Sequence, residues 1–218
     1  MDWYRIFGIC GVIGAFLCIL GDLLLDVKGP DNKKLGKYGI MDSAWDHMDG
    51  KRFVRSILLA GLGAPLSSLG FTAMAHELAK ANEGFGIAYF IIAILGAGGG
   101  FFIHTFICLL PVLYKKIKPD HGFDYAESII NTAYEAVKIP FWCLYMALVA
   151  VPSLLVIFAL WNGYLDLSRW FILLTPPCLM IFGGVLQKIN NKVFCDLPMV
   201  ITPSLGLAMM SLMAVLNM

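Results

Sequence analysis

The sequence predicts an all-α, polytopic membrane protein of six transmembrane helices, and two observations carry that prediction. Composition is the first: 59 % of the 218 residues are hydrophobic and only 14 % are charged, with a mean hydropathy of +0.78, well outside the range of ordinary soluble domains. Segmentation is the second. A hydrocarbon core about 30 Å thick needs roughly 20 apolar residues per helix, and the apolar residues gather into stretches at 3–25, 53–76, 85–114, 140–161, 170–186 and 199–217. Together they form one membrane domain over 1–218. The bilayer is therefore the expected partner. A formal net charge of +1 supplies no basic field to collect phosphates, which excludes nucleic acid as an expected partner.

The first stretch follows MDWYR and contains no small-residue cleavage site, so it reads as a retained helix. Gly14, Cys18, Asp22 and Asp26 lie four apart on one of its faces, which aims Asp22 at a neighbouring helix. The second stretch carries Pro65. The third contains the run 95–110, LGAGGGFFIHTFICLL, which stacks Gly96, Gly100, His104 and Cys108 on one face. Small residues allow close helix approach, so these glycine-rich faces are expected at helix seams, including a seam with a second copy of the chain.

Residues 123–138, FDYAESIINTAYEAVK, place Ala126, Ile130, Ala133 and Val137 on one helical face and Glu127, Asn131 and Glu135 on the other. Such a helix lies along the interface or extends the fourth span below Pro140. The fifth stretch is interrupted by Pro176 and Pro177. Cysteines fall mostly inside apolar stretches and form no C-x-x-C pair, which gives neither a disulfide frame nor a zinc site.

Lys and Arg sort the loops. Lys28, Lys33, Lys34, Lys37, Lys51, Arg52 and Arg55 follow the first span, Lys115, Lys116, Lys118 and Lys138 the third, and Lys188 and Lys192 the fifth; the opposite side has only Arg5, Lys80 and Arg169. Basic loops stay in the cytoplasm. The expected protein sits in the plasma membrane with odd-numbered loops cytoplasmic and both termini outside. His76, Glu77 and Glu83 then fall at the outer surface, whereas Asp22, Asp26 and His104 fall in the cytoplasmic half.

His104 is the leading catalytic candidate, because an ionisable side chain within a span is costly and histidine titrates near neutrality. Asp22 is its expected partner, a carboxylate able to orient an imidazole if the first and third spans meet. Asp26, Glu127 and Asn131 are the candidate substrate-binding residues at the same depth. Asp42, Asp46 and His47 in the loop DSAWDHMDG are weak metal candidates: oxygen and imidazole donors suit a divalent cation, but the spacing matches neither a calcium loop nor a zinc signature. His76 and Glu77 begin an H-E-x-x-H pattern that fails at Lys80. No cofactor is specified by the sequence.

Three functions follow from this reading. The first is an acid/base enzyme acting on an amphipathic or lipid-like substrate at an inward-facing intramembrane site. A second is a small proton- or cation-coupled transporter using proline-broken second and fifth spans. The third is a membrane scaffold or accessory subunit whose glycine seams are interfaces.

Overall fold

A computed structural model describes residues 2–218, and all side chains among them but those of Asn191 and Lys192. Lys192, one of the loop charges above, therefore lies outside the described side chains. Five helices are long and apolar enough to cross a membrane: α1 (Trp3–Asp26), α2 (Gly50–Ala81), α3 (Glu83–His121), the helix Phe123–Asn162 and the helix Leu197–Asn217. The fourth of these runs through α4 (Phe123–Tyr145), a π-helical turn (Met146–Ala150) and α5 (Val151–Asn162). After a 3-10 stretch at Arg169–Leu174 come α6 (Pro176–Ile189), the short α7 (Asn191–Phe194) and α8 (Leu197–Asn217).

Two expectations change. The stretch 170–186 is not one continuous helix: Pro176 and Pro177 have no N–H to donate, so they start α6 and leave Arg169–Leu174 in a separate 3-10 turn. By contrast α2 runs unbroken through Pro65. Segment 123–138 joins 140–161 in one helix, so the alternative that extends the fourth span is the one realised. Forty residues at 1.5 Å each reach about 60 Å, roughly twice the hydrocarbon thickness.

Helix ends are set by short polar residues. Asp2 accepts from Tyr4 N at 3.0 Å, Asp49 from Lys51 N at 3.0 Å and Asn82 from Phe85 N at 3.0 Å, each satisfying an otherwise orphaned donor. Asn82 alone joins α2 to α3, and Gly122 alone joins α3 to α4 at φ 83°, a left-handed value that glycine adopts without a side-chain clash. Arg52 reaches back from α2 to the carbonyls of Val27 at 3.0 Å and Leu23 at 3.3 Å. A cation there complements the negative end of α1.

The glycine faces are used inside the protomer. A Cβ on Gly14 would collide with the backbone of Gly63 and Ser67, and one on Gly96 with the backbone of Ala147 in the π-turn. The α3 glycine run thus accommodates the bulge of the neighbouring helix. Two buried clusters result, one around Phe71, Met74, Tyr89, Leu160 and Met210, the other around Met41, Trp45, Phe53, Tyr114 and Ile130. The second incorporates the loop after α1, whose strands β1 (Lys34–Leu35) and β2 (Met41–Asp42) pair antiparallel. Trp45 is buried edge-on against Tyr114, ring centroids 5.6 Å apart.

Candidate functional site

The i, i+4 faces anticipated on α1 and α3 do meet. His104 Nδ1 lies 3.2 Å from Asp22 Oδ1, and the Ser204 hydroxyl of α8 donates to Asp22 Oδ2 at 2.7 Å. On the other side of the imidazole, Nε2 is 2.7 Å from the Ser56 hydroxyl. That hydroxyl is also 2.7 Å from the carbonyl of Gly21, and the Cys108 thiol sits 3.4 Å from it. Four helices contribute to one hydrogen-bonded chain.

Proton bookkeeping along this chain is constrained. Nδ1–H donates to the Asp22 carboxylate, which cannot donate when ionised. Ser56 has a single hydroxyl proton and two acceptors in reach. When it points at Nε2 it matches a neutral imidazole; when it points at Gly21 O its oxygen is free to accept from a protonated Nε2, which matches an imidazolium. One rotation of a hydroxyl thus matches either protonation state without moving a heavy atom.

The order Ser56, His104, Asp22 resembles the arrangement of a hydrolytic triad, but Ser56 is fully buried and is not among the residues lining the adjoining cavity. It positions the imidazole and is out of reach of a substrate. His104 and Asp22 do line that cavity, their side chains 12 % and 21 % exposed. With both ring nitrogens engaged, Asp22 is the group that presents free lone pairs to a ligand.

The cavity measures about 640 Å³. Asp22, Asp26, Lys28, Lys34 and Asp196 mark its polar end, while Ala15, Phe71, Ala97, Leu148 and Leu207 form apolar walls. Rings of Phe101, Phe141, Trp142 and Tyr145 line one side. Trp142 on α4 and Met199 on α8 are exposed at the protein surface, and α4 and α8 barely touch. The cavity is thus flanked by exposed apolar side chains.

At the polar end Lys28 is held between Asp26 and Asp42, 2.8 Å from each. Burial works against its charge, yet the two carboxylates outweigh burial and hold the ammonium above its ordinary value. Burial likewise opposes the charge on Asp42, but Lys28, Asn32 and Lys34 outweigh it and keep the carboxyl below its ordinary value. Asp42 is therefore an internal counter-ion.

Other anticipated residues are placed elsewhere. Asp26 lines the cavity. Glu127 and Asn131 do not: Glu127 accepts from Lys37 N at 2.9 Å and from Asn131 at 3.3 Å, bracing the first loop on α4. Asp46 pairs with Lys118 at 2.7 Å, and His47 lines a separate polar cavity beside the loop. Asp46 lines that cavity too, whereas Asp42 does not, and no set of three His, Cys, Asp or Glu able to hold a metal ion occurs among the described residues. Glu77, expected at the outer surface, is buried, 0 % exposed, and pairs with Lys80 at 2.6 Å and Asn217 at 2.7 Å.

Ser56 and Ser204 were not expected at the site. Serines in apolar helices ordinarily bond their own preceding turn, as Ser211 does to Leu207 O at 3.1 Å, so no local pattern separates these two from the rest.

Fold and site define an all-α membrane protein with a carboxylate–imidazole pair facing an amphipathic cavity. The chain belongs to DUF6796, a family of unknown function, whose family model matches residues 1–218. No curated protein and no solved structure matches it.

Proposed function

We propose that the protein is an intramembrane acid/base enzyme acting on an amphipathic or lipid-like substrate, with Asp22 and His104 as its proton-transferring pair. The observation that carries this reading is the 3.2 Å contact between Asp22 and His104 on the wall of a cavity of about 640 Å³ that is polar at one end and apolar along its length. Asp22 takes a proton from the substrate at a free lone pair and returns it; His104 donates Nδ1–H to the carboxylate and orients it, and Ser56 holds the ring at Nε2. Proton transfer of this kind contributes about 10²–10⁴-fold to rate. The apolar wall holds the chain of the substrate while Asp26 and Lys28 meet its head.

The charge asymmetry of the loops supports a plasma-membrane protein with the polar end toward the cytoplasm and both termini outside, its 169–189 segment completing a sixth crossing. Lipid then enters between α4 and α8 from the inner leaflet.

The test is native mass spectrometry of detergent-purified protein, wild type against His104→Ala and Asp22→Asn. A defined amphiphile retained by wild type and lost from both variants is expected. Equal retention of bulk phospholipid by all three would overturn the proposal.

The transporter reading draws on one observation: a π-turn and a helix start at Pro176 interrupt the second half of the chain. Proton uptake into proteoliposomes, abolished by Asp22→Asn, would favour it over the enzyme.

A further inference from the structure

The charges on the cavity wall are not balanced in their availability. The basic groups there are already engaged: Lys28 lies between Asp26 and Asp42, Lys34 is 3.0 Å from Asp42, and His104 is 3.2 Å from Asp22. Asp42 is not a wall residue, whereas Lys28 and Lys34 are, and both lysines share Asp42 as a counter-ion. An anionic head would find only the N–H groups that Lys28 and Lys34 keep spare, and would meet Asp22, Asp26 and Asp196 beside them.

The acidic groups are less committed. Each carboxylate oxygen has two acceptor sites, and Asp22 accepts one hydrogen bond on each oxygen, from Ser204 and from His104. Aromatic rings add to this bias. Phe101, Phe141, Trp142 and Tyr145 share the wall, and the face of an aromatic ring attracts a cation by about 0.5–2 kcal/mol where water is excluded.

A buried hydroxyl points to a ligand independently of the charges. Ser67 is 6 % exposed, lines the cavity and has no hydrogen-bond partner for its Oγ among the described residues. It stands beside the Cys18 thiol, a weak hydrogen-bonding group. A polar atom left this way in an apolar wall is costly unless something in the cavity meets it.

We infer that the cavity takes a single-chain amphiphile with a cationic, hydrogen-bond-donating head, a protonated long-chain amine: the ammonium sits between Asp22 and the Ser67 hydroxyl beside the aromatic rings, and the chain runs along the apolar wall. This assignment rests on the amphiphile reading above and narrows it. Ammonium N–H groups find the spare lone pairs of Asp22 and Asp196, an alkyl chain covers Leu148 and Leu207, and a sulfate or phosphate head of equal chain length is repelled.

The experiment compares tetradecylamine, tetradecanol and tetradecyl sulfate at equal mole fraction in maltoside micelles, with retention by the full-length protein read by native mass spectrometry. The amine should be retained at least about tenfold more than the alcohol, and the sulfate less than the alcohol. Asp22→Asn should reduce amine retention by about tenfold while leaving the alcohol unchanged, and Trp142→Leu should reduce it a few-fold.

Sulfate retained as well as amine, or amine retention unaffected by Asp22→Asn, overturns the head-group assignment. If alcohol and amine are retained equally, the amphiphile cavity stands and its charge preference falls. If none of the three chains is retained, both fall together. Should Asp22→Asn fail to fold, the wild-type order of the three ligands decides the matter alone.

Discussion

Two carboxylates of the long helices, Glu77 and Asp22, face opposite situations. Glu77 near the end of α2 is fully buried, with Lys80 at 2.6 Å and Asn217 at 2.7 Å taking its oxygens; it lines neither cavity described here. Asp22 is held by an equal number of partners, Ser204 and His104, yet its side chain is 21 % exposed on the wall of a cavity of about 640 Å³. A similar number of polar neighbours thus serves different ends. Around Glu77 an ion pair with Lys80 and a hydrogen bond from Asn217 fasten α2 to α8 inside packed protein, whereas around Asp22 lone pairs face the cavity. Room beside the charge, more than the charge itself, marks the functional candidate.

The severest way to break the comparison is to destroy the framework both groups share. Gly70→Leu would drive a side chain into Ser211 and toward Gly11 Cα, which lies 2.9 Å from an added Cβ. Overpacking of this kind costs about 1–3 kcal/mol and more where backbone blocks relaxation. The expected outcome is loss of monodisperse protein on size-exclusion chromatography.

Glu77→Ala comes next and separates the two sites. Because Lys80 is half-exposed, it regains water, but Asn217 loses a buried partner, so a cost of about 1–3 kcal/mol is expected. Thermal unfolding in detergent should fall accordingly, with amphiphile retention unchanged. The corresponding change at Asp22 should do the reverse.

Acid sharpens the picture at the cavity mouth. Asp42 has its folded pKa held below an unfolded value of about 3.9, so its contribution is complete above that value and is lost as pH falls through the lower folded one. Lys28 is shifted upward, so its contribution holds below about pH 10.4 and fades only as pH rises through the higher folded value. Limited proteolysis of the loop 27–49 should accelerate below about pH 4, and Asp42→Asn should show the accelerated rate already at neutral pH.

Ser204→Ala is the mildest test. A hydrogen bond between membrane helices contributes about 0.6 kcal/mol on average, so stability should barely change. Asp22 would then be less firmly aimed, and amphiphile retention should fall only a few-fold.

Much of this was legible in the residues. Helical spacing on α1 and α3 was enough to put Asp22 and His104 on faces that could meet, and the glycines at 96, 99 and 100 foretold close packing. That the same glycines would be used within the protomer, against Leu144, Ala147 and Leu148, depended on a π-turn with no sequence signature. Glu127 and Asn131 share a helical face as expected, but the folded loop that draws them toward Lys37 forms by burying Met41 and Trp45, a tertiary event beyond local periodicity. The burial of Glu77 was not legible for a similar reason: it depends on Asn217, 140 residues away. Ser56 and Ser204 carried no local signal because a serine's usual partner in such a helix is its own backbone.

The central claim is that Asp22 faces a ligand while Glu77 faces only protein. The most direct measurement sets Asp22→Asn beside Glu77→Gln and reads amphiphile retention by native mass spectrometry together with the thermal midpoint of each. Retention should be lost in Asp22→Asn at a nearly unchanged midpoint, and preserved in Glu77→Gln at a lowered one. Loss of retention in both variants in proportion to their loss of stability would contradict the account.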